Sequence, residues 1–289
     1  MKNKKCFFIF FWVLSLTILS SCTAVSMQPA ATEGTTESLA SSVSSSIPDM
    51  TATIVIPTET LPAATATATV IAPTVATLVN ETIESPADST AYTIQLEKVK
   101  MDGDASYADP FNTLVQAMME VEQKNFLDGI AEIEEWRAAN MPDIRSTLDN
   151  AVTITYNDHS LVSVHFEFFT YTAGAAHPFS YSKTLTYDMN TRQVVELEQL
   201  FTSGSDWMNA VSSYCINDLT AKGVYEFLEG ATPTPENYSR WSITPDGLVI
   251  YFDPYQVAAY AAGPQQVTIP YASLADYIAS PGLIAHLVP

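Results

Sequence analysis

The chain has 289 residues, with 12 Lys and Arg against 32 Asp and Glu, a formal net charge of −20 at pH 7. That balance leaves no basic footprint for nucleic-acid binding. An acidic surface serves solubility, and it also attracts cationic partners and speeds their encounter.

The N-terminus reads as a targeting segment. Lys2, Lys4 and Lys5 precede the apolar run Cys6–Leu14, which continues through Leu16, Ile18 and Leu19. The run falls short of the about 20 apolar residues that a membrane span needs, and fits a secretory signal peptide over 1–21. Leu19-Ser20-Ser21-Cys22 resembles the bacterial lipobox. The resemblance implies cleavage before Cys22 and acylation of its thiol, hence a lipid anchor at the cell envelope, on the outer face of the cytoplasmic membrane or in the outer membrane. The mature chain then carries 9 basic and 32 acidic residues, or −23. Cys6 leaves with the signal and Cys22 is acylated, so Cys215 is left alone and no internal disulfide can form. The fold must rest on its own apolar core.

Residues 22–90 contain no Lys or Arg and are dominated by Ser, Thr, Ala and Pro. The stretch TATIVIPTETLPAATATATVIAPTVATLV has no helical or turn-bounded period, so this is expected to be a linker or stalk. As a flexible coil it would reach about 45 Å, from ~5.5 Å times the square root of its length.

Ordered structure is expected from about Ala91. From there the chain carries 9 basic and 25 acidic residues, a net −16. Tyr92, Ile94 and Leu96 alternate with polar neighbours as in a strand. Asp109-Pro110 predicts a helix start. Phe111, Leu114, Val115, Met118, Phe126, Ile130, Ile133 and Trp136 then predict one helix over 110–138, with a break near Gly129. Its other face, Glu120, Glu122, Glu132, Glu134 and Glu135, is expected to face water. These elements form the N-terminal strand-helix part, 91–150.

The C-terminal part, 151–289, begins with alternation. Residues 151–172 predict a hairpin turning at Asn157-Asp158-His159-Ser160, with Val162, Val164, Phe166 and Phe168 on one face and Ser163, His165, Glu167 and Tyr171 on the other. The loop GAAHP follows, then a strand over 179–187 and the turn DMNTR. An antiparallel meander excludes a parallel nucleotide-binding architecture. A second helix is expected over 206–228, with Trp207, Val211, Ile216, Leu219 and Phe227 apolar. Pro245-Asp246-Gly247 predicts a turn in which Gly takes positive φ. Strands over 248–252 and at QQVTIP, and a helix at YASLADYI, complete an α+β fold: an antiparallel meander sheet with packed helices.

Four sites invite chemistry. His-x-Glu at His165 and Glu167 places both side chains on one strand face, and His177 in GAAHP would make a third metal ligand or catalyst. No HExxH or paired-Cys spacing accompanies them. The competing role for His177 is to fix its loop by hydrogen-bonding a backbone carbonyl. Ser180-Tyr181-Ser182-Lys183 matches SxxK, but strand alternation sends Ser180 and Lys183 to opposite faces, and no SDN or KTG companion is present. Cys215 sits in a helical apolar stretch as a small buried hydrophobe. Tyr255 and Tyr260 flank the irregular Asp253–Pro264 segment, either as contact anchors for protein or glycan or as rings that pack the loop down.

GAAHP after a meander strand, then TLTYD, VVELEQLF and DGLVIYFDPYQVAAYAAGPQQVTIPYASL together resemble the extracytoplasmic domain of RsiV-type anti-sigma factors, a module that also precedes the catalytic domain of PdaC-type peptidoglycan deacetylases. The resemblance spans about Ala91 to Ile278. It implies an α+β binding domain; RsiV-type domains bind lysozyme, a cationic protein. Where the family has Gly-Gly-Ala-His-Pro, this chain has Ala175 at the second Gly, which questions an identical loop backbone. The sequence shows neither the cytoplasmic and spanning segments of an anti-sigma factor nor a metal-binding deacetylase domain after Leu274, so neither activity is expected. The expectation is a lipid-anchored extracytoplasmic binding or sensing module without cofactor or resident metal, its ligand a cationic protein such as lysozyme or a cell-wall component such as peptidoglycan, with His177, Pro178, Tyr255 and Tyr260 as candidate binding or loop-fixing residues. An envelope hydrolase using His165, Glu167 and His177, and a structural envelope lipoprotein, are the alternatives.

Overall fold

The computed structural model describes residues 83–84 and 91–289. The expected signal segment, the lipid-attachment residue Cys22 and, apart from 83–84, the expected linker lie outside them. Two sheets make up the fold. The larger has six strands in sequence order: β1 (Ile83–Glu84), β2 (Tyr92–Leu96), β3 (Ser146–Asn157), β4 (Leu161–Tyr171), β5 (Phe179–Asp188) and β6 (Gln193–Val194). The smaller has three: β7 (Trp241–Ile243), β8 (Gly247–Phe252) and β9 (Gln265–Pro270). The α+β class and the antiparallel β3–β4–β5 meander agree with the sequence pattern. Two features do not follow from that pattern. The chain builds two sheets rather than one, and β2 runs parallel to β3 because helix α1 (Ala105–Ala131) and a shorter helix α2 (Glu134–Asn140) return the chain between them.

α1 starts earlier than Asp109-Pro110. Asp104, at φ −63 and ψ 123, accepts a hydrogen bond from Ser106 N at 2.8 Å on its side chain, and its carbonyl accepts from Tyr107 and Ala108. With that cap in place the helix runs on through Pro110, which is exposed and lies within the second turn. It ends at Ala131, past Gly129, and α2 follows after Glu132 and Ile133. Trp136, expected on the apolar face, therefore falls beyond the break and is 49% exposed. Arg137 on α2 is buried instead. Its guanidinium pairs with Glu134 at 2.8 Å and donates to the carbonyls of Pro142 and Ile144 at 3.1 Å, shaping the chain that leads into β3.

α1 lays Phe111, Val115, Met119, Phe126 and Ile130 on the sheet face built from Ile94, Leu96, Leu148, Val164, Phe166 and Phe168. Each fully buried side chain of this size contributes about 1.5–3 kcal/mol. Glu122, expected in water, points into this layer: only 5% exposed, it accepts from the Tyr181 hydroxyl at 2.8 Å and pairs with Lys183 at 3.2 Å.

The second core joins the small sheet to helix α3 (Trp207–Lys222), packing Ile243, Leu248, Ile250, Phe252, Val267 and Ile269 with Val211, Cys215 and Leu219. α3 stops at Lys222 rather than near residue 228, because Gly223 adopts φ +70 and its N–H caps Leu219 and Thr220. Phe227 is consequently outside the helix and exposed. The turn before β8 also differs from expectation. Gly247 does not take positive φ; it is required because a Cβ there would sit 2.3 Å from Ile269 O on β9. The C-terminal helix shortens to α4 (Tyr271–Leu274).

The polar face of β4 and β5 does not face water along its whole length. Ser163, Ser182 and Thr186 are buried beneath β7 and β8. Ser163 Oγ lies 2.8 Å from Thr186 Oγ1 and receives Ile243 N at 3.2 Å, while Thr184 Oγ1 receives Trp241 N at 3.2 Å. Hydroxyls thus satisfy the backbone donors of β7, and this polar seam docks the small sheet on the large one. None of the described helices is long and apolar enough to cross a membrane.

Candidate functional site

β4 and β5 pair through Thr170 and Phe179, so GAAHP closes their hairpin. Gly174 takes φ +91, and a Cβ on it would meet the Trp136 ring at 2.9 Å. Two demands therefore fall on Gly174, while Ala175 keeps an ordinary φ and hydrogen-bonds Thr172 O at 2.9 Å. Ala175 is thus accommodated without a positive φ.

The segment after β8 is pinned to the same edge. Asp253 accepts Ser182 N of β5 at 2.8 Å and pairs with Arg240 Nε at 2.8 Å. Burial pushes the Asp253 carboxyl up from its ordinary range, against the pull of Arg240. Gln256 Nε2 then donates to Gly230 O at 3.0 Å and Asn237 O at 3.1 Å, fixing the loop from the other side.

Between these two loops the structure brings all four candidate residues together. The Tyr260 hydroxyl donates to Pro178 O at 2.6 Å, and His177 Nδ1 donates to the same carbonyl at 2.9 Å. His177 stacks on Tyr260 with centroids 4.0 Å apart, and Tyr255 follows at 5.6 Å from Tyr260. The result is a ladder of His177, Tyr260 and Tyr255. Tyr255 is 51% exposed and sits at φ +70. A bulky non-glycine residue there costs about 1–2 kcal/mol, and such strain concentrates at binding and active sites. The carbonyl bond expected of His177 is present, but it reaches only the next residue. The bond that ties the two loops is made by Tyr260.

The metal or hydrolase constellation is not assembled. His165 stacks flat on Tyr251 at 3.9 Å, and its Nε2 lies 3.0 Å from Ser182 Oγ, inside the seam between the sheets. Burial lowers its pKa to about 4, so the ring is neutral at pH 7. Glu167 shares that strand face, its carboxyl raised by burial and by Asp253. His177 is engaged with Tyr260 and Pro178, and among the described residues no three His, Cys, Asp or Glu side chains gather as a metal site. Lys183 is committed to Glu122, away from Ser180. Cys215 is buried, and burial raises its thiol pKa, which disfavours the thiolate.

Sequence reasoning did not single out Asp253, Arg240, Gln256 or Trp136, which hold the two loops in place. The partners Ser182, Asn237 and Gly230 lie from 19 to 71 positions away, and nothing local marks them.

The fold and this surface define an α+β module with an aromatic loop face. Residues 198–272 match the family model described as "Protein of unknown function (DUF3298)". The chain is 29% identical over 139 residues to the peptidoglycan-N-acetylmuramic acid deacetylase PdaC of Bacillus subtilis, covering 46% of this chain and 30% of that enzyme. It is 26% identical over 109 residues to the immunogenic protein MPT64 of Mycobacterium tuberculosis, covering 37% of this chain and 48% of that protein. It thus spans less than half the length of these curated relatives. Two solved structures share the fold. A DUF3298 member from Bacteroides fragilis superposes with a TM-score of 0.54 at 15% identity, covering 72% of this chain and 95% of that one. Another from Pseudomonas aeruginosa gives 0.50 at 17% identity, covering 74% and 97%.

Proposed function

We propose that this protein is a non-catalytic binding or sensing module of the bacterial cell envelope, held to the membrane by a lipid on Cys22 and spaced from it by the 22–90 linker. The His177–Tyr260–Tyr255 ladder is its contact face. The observation that carries this reading is the strained, exposed Tyr255 at the end of a stack whose other members are tied by Pro178 O. Rings pre-positioned in this way bind with little loss of side-chain entropy. The ligand classes are a cationic protein such as lysozyme, as the resemblance to RsiV-type domains implies, and peptidoglycan, on which the relative PdaC acts by name. The net charge of −20 supports the first. Calorimetric titration of the full chain with lysozyme and with soluble peptidoglycan fragments tests the proposal. Saturable binding to one of them is expected; binding to neither overturns it.

A further inference from the structure

A second concave surface carries a different chemistry. A groove of about 400 Å3 opens at the start of α3, with Trp207, Tyr238 and Trp241 in its wall and Glu196, Glu198 and Glu236 around it. This volume is at the lower end of the range for small-ligand sites, about 300–1,000 Å3. No Lys or Arg lines it. Arg240, next in sequence to Trp241, is turned to Asp253.

The wall is held rigidly, and since Tyr238 (1% exposed) and Trp241 (5% exposed) are buried, the half-buried Trp207 is the ring that meets a ligand. Phe201 covers one face of the Trp207 indole at 4.5 Å and 4°. The Tyr238 hydroxyl donates to Ala231 O at 2.6 Å while its ring meets Phe252 edge-on. Trp241 is anchored to β5 through Thr184. Glu196 is fixed by a reciprocal bond with Gln199 in a capping box. Glu198 and Glu236 are exposed and carry no ion pair among the described residues. The positive end of the α3 dipole, roughly half a unit charge, also lies at Trp207, but three carboxylates outweigh it.

From this arrangement we infer that the groove accepts an arginine side chain of a partner polypeptide. A guanidinium is flat enough to lie on an indole, is attracted by the ring face, and has a fork of N–H donors that matches a carboxylate. A lysine ammonium lacks the stacking and the fork. The inference does not depend on the aromatic ladder, because it rests on other residues.

The test titrates the full chain with acetyl-tetra-arginine amide and follows tryptophan emission, to which Trp207 and Trp241 contribute directly. Three variants run in parallel: E198Q/E236Q at the groove, the charge-matched E120Q/E132Q on α1 and at its C-terminal cap, and Tyr255→Gly on the ladder. A tetra-citrulline peptide supplies an uncharged isostere. The expected result is saturable binding, weakened about tenfold by E198Q/E236Q, within twofold of wild type for the other two variants, and absent with citrulline. The inference is overturned by an absence of saturable binding or by equal affinity for citrulline. Equal weakening in the two charge-matched variants overturns it as diffuse attraction to an acidic surface. Weakening by Tyr255→Gly as large as by E198Q/E236Q overturns it by assigning the binding to the ladder.

Discussion

Lowering the pH should loosen the seam between the two sheets through one residue, His165. Its ring lies flat on Tyr251 and bonds Ser182, and burial holds its folded pKa at about 4. The unfolded value is about 6.5. The folded state therefore binds fewer protons than the unfolded state between these values. The stabilisation from a neutral His165 is fully present above about pH 6.5 and is lost as pH falls towards 4. Linkage puts the loss at about 2 kcal/mol at pH 5. The ring keeps partial contact with solvent, which screens the effect and leaves about 1 kcal/mol. Glu167 and Asp253, the carboxylates on this side, have raised pKa values and act oppositely: their charging costs stability as pH rises through their folded values. They are present in wild type and in His165→Gln alike, so the difference between the two proteins isolates the histidine. Urea unfolding followed by tryptophan emission at pH 7.5 and pH 5.0 is the assay. Wild type should lose about 1 kcal/mol more than His165→Gln over this interval. Identical pH dependence in the two would refute the burial argument.

Four substitutions probe packing by the same urea assay. Glu122→Ala strips the partner from the Tyr181 hydroxyl and Lys183 and should cost about 2 kcal/mol, whereas Glu120→Ala on the exposed face should stay within about 0.5 kcal/mol. Gly247→Ala forces a Cβ to 2.3 Å from Ile269 O and should cost about 2–3 kcal/mol through distortion of the β8–β9 pair. Gly129→Ala meets nothing within 4 Å in the last turn of α1 and should stabilise by about 0.5 kcal/mol, the opposite sign for the same change.

The strands were legible because period-two alternation is a local signal. Val162, Val164, Phe166 and Phe168 mark the core face of β4 without help from the rest of the chain. Element ends were less legible where two local signals compete. Asp104 and Asp109-Pro110 both encode a helix start, and the bond from Ser106 decides for the first. Glu122 was misread because helical spacing shows which residues share a face but not that a sheet offers a tyrosine and a lysine to one of them. At the candidate site, GAAHP and DPYQVAAY stand out separately in the sequence. Their meeting depends on the Tyr260–Pro178 bond, across 82 positions. The groove at Trp207 was silent for the same reason, since its wall and rim come from residues 196–241 folded around α3.

The central claim is that the aromatic ladder is the contact face, and Tyr255→Gly addresses it directly. Glycine removes the ring while relieving the φ of +70, so the fold should gain about 1 kcal/mol even as the contact is lost. The measurement is the calorimetric affinity of wild type and Tyr255→Gly for whichever of lysozyme and soluble peptidoglycan fragments binds saturably. The account predicts at least a tenfold loss of affinity in a variant of undiminished stability. Unchanged affinity in that variant would contradict it.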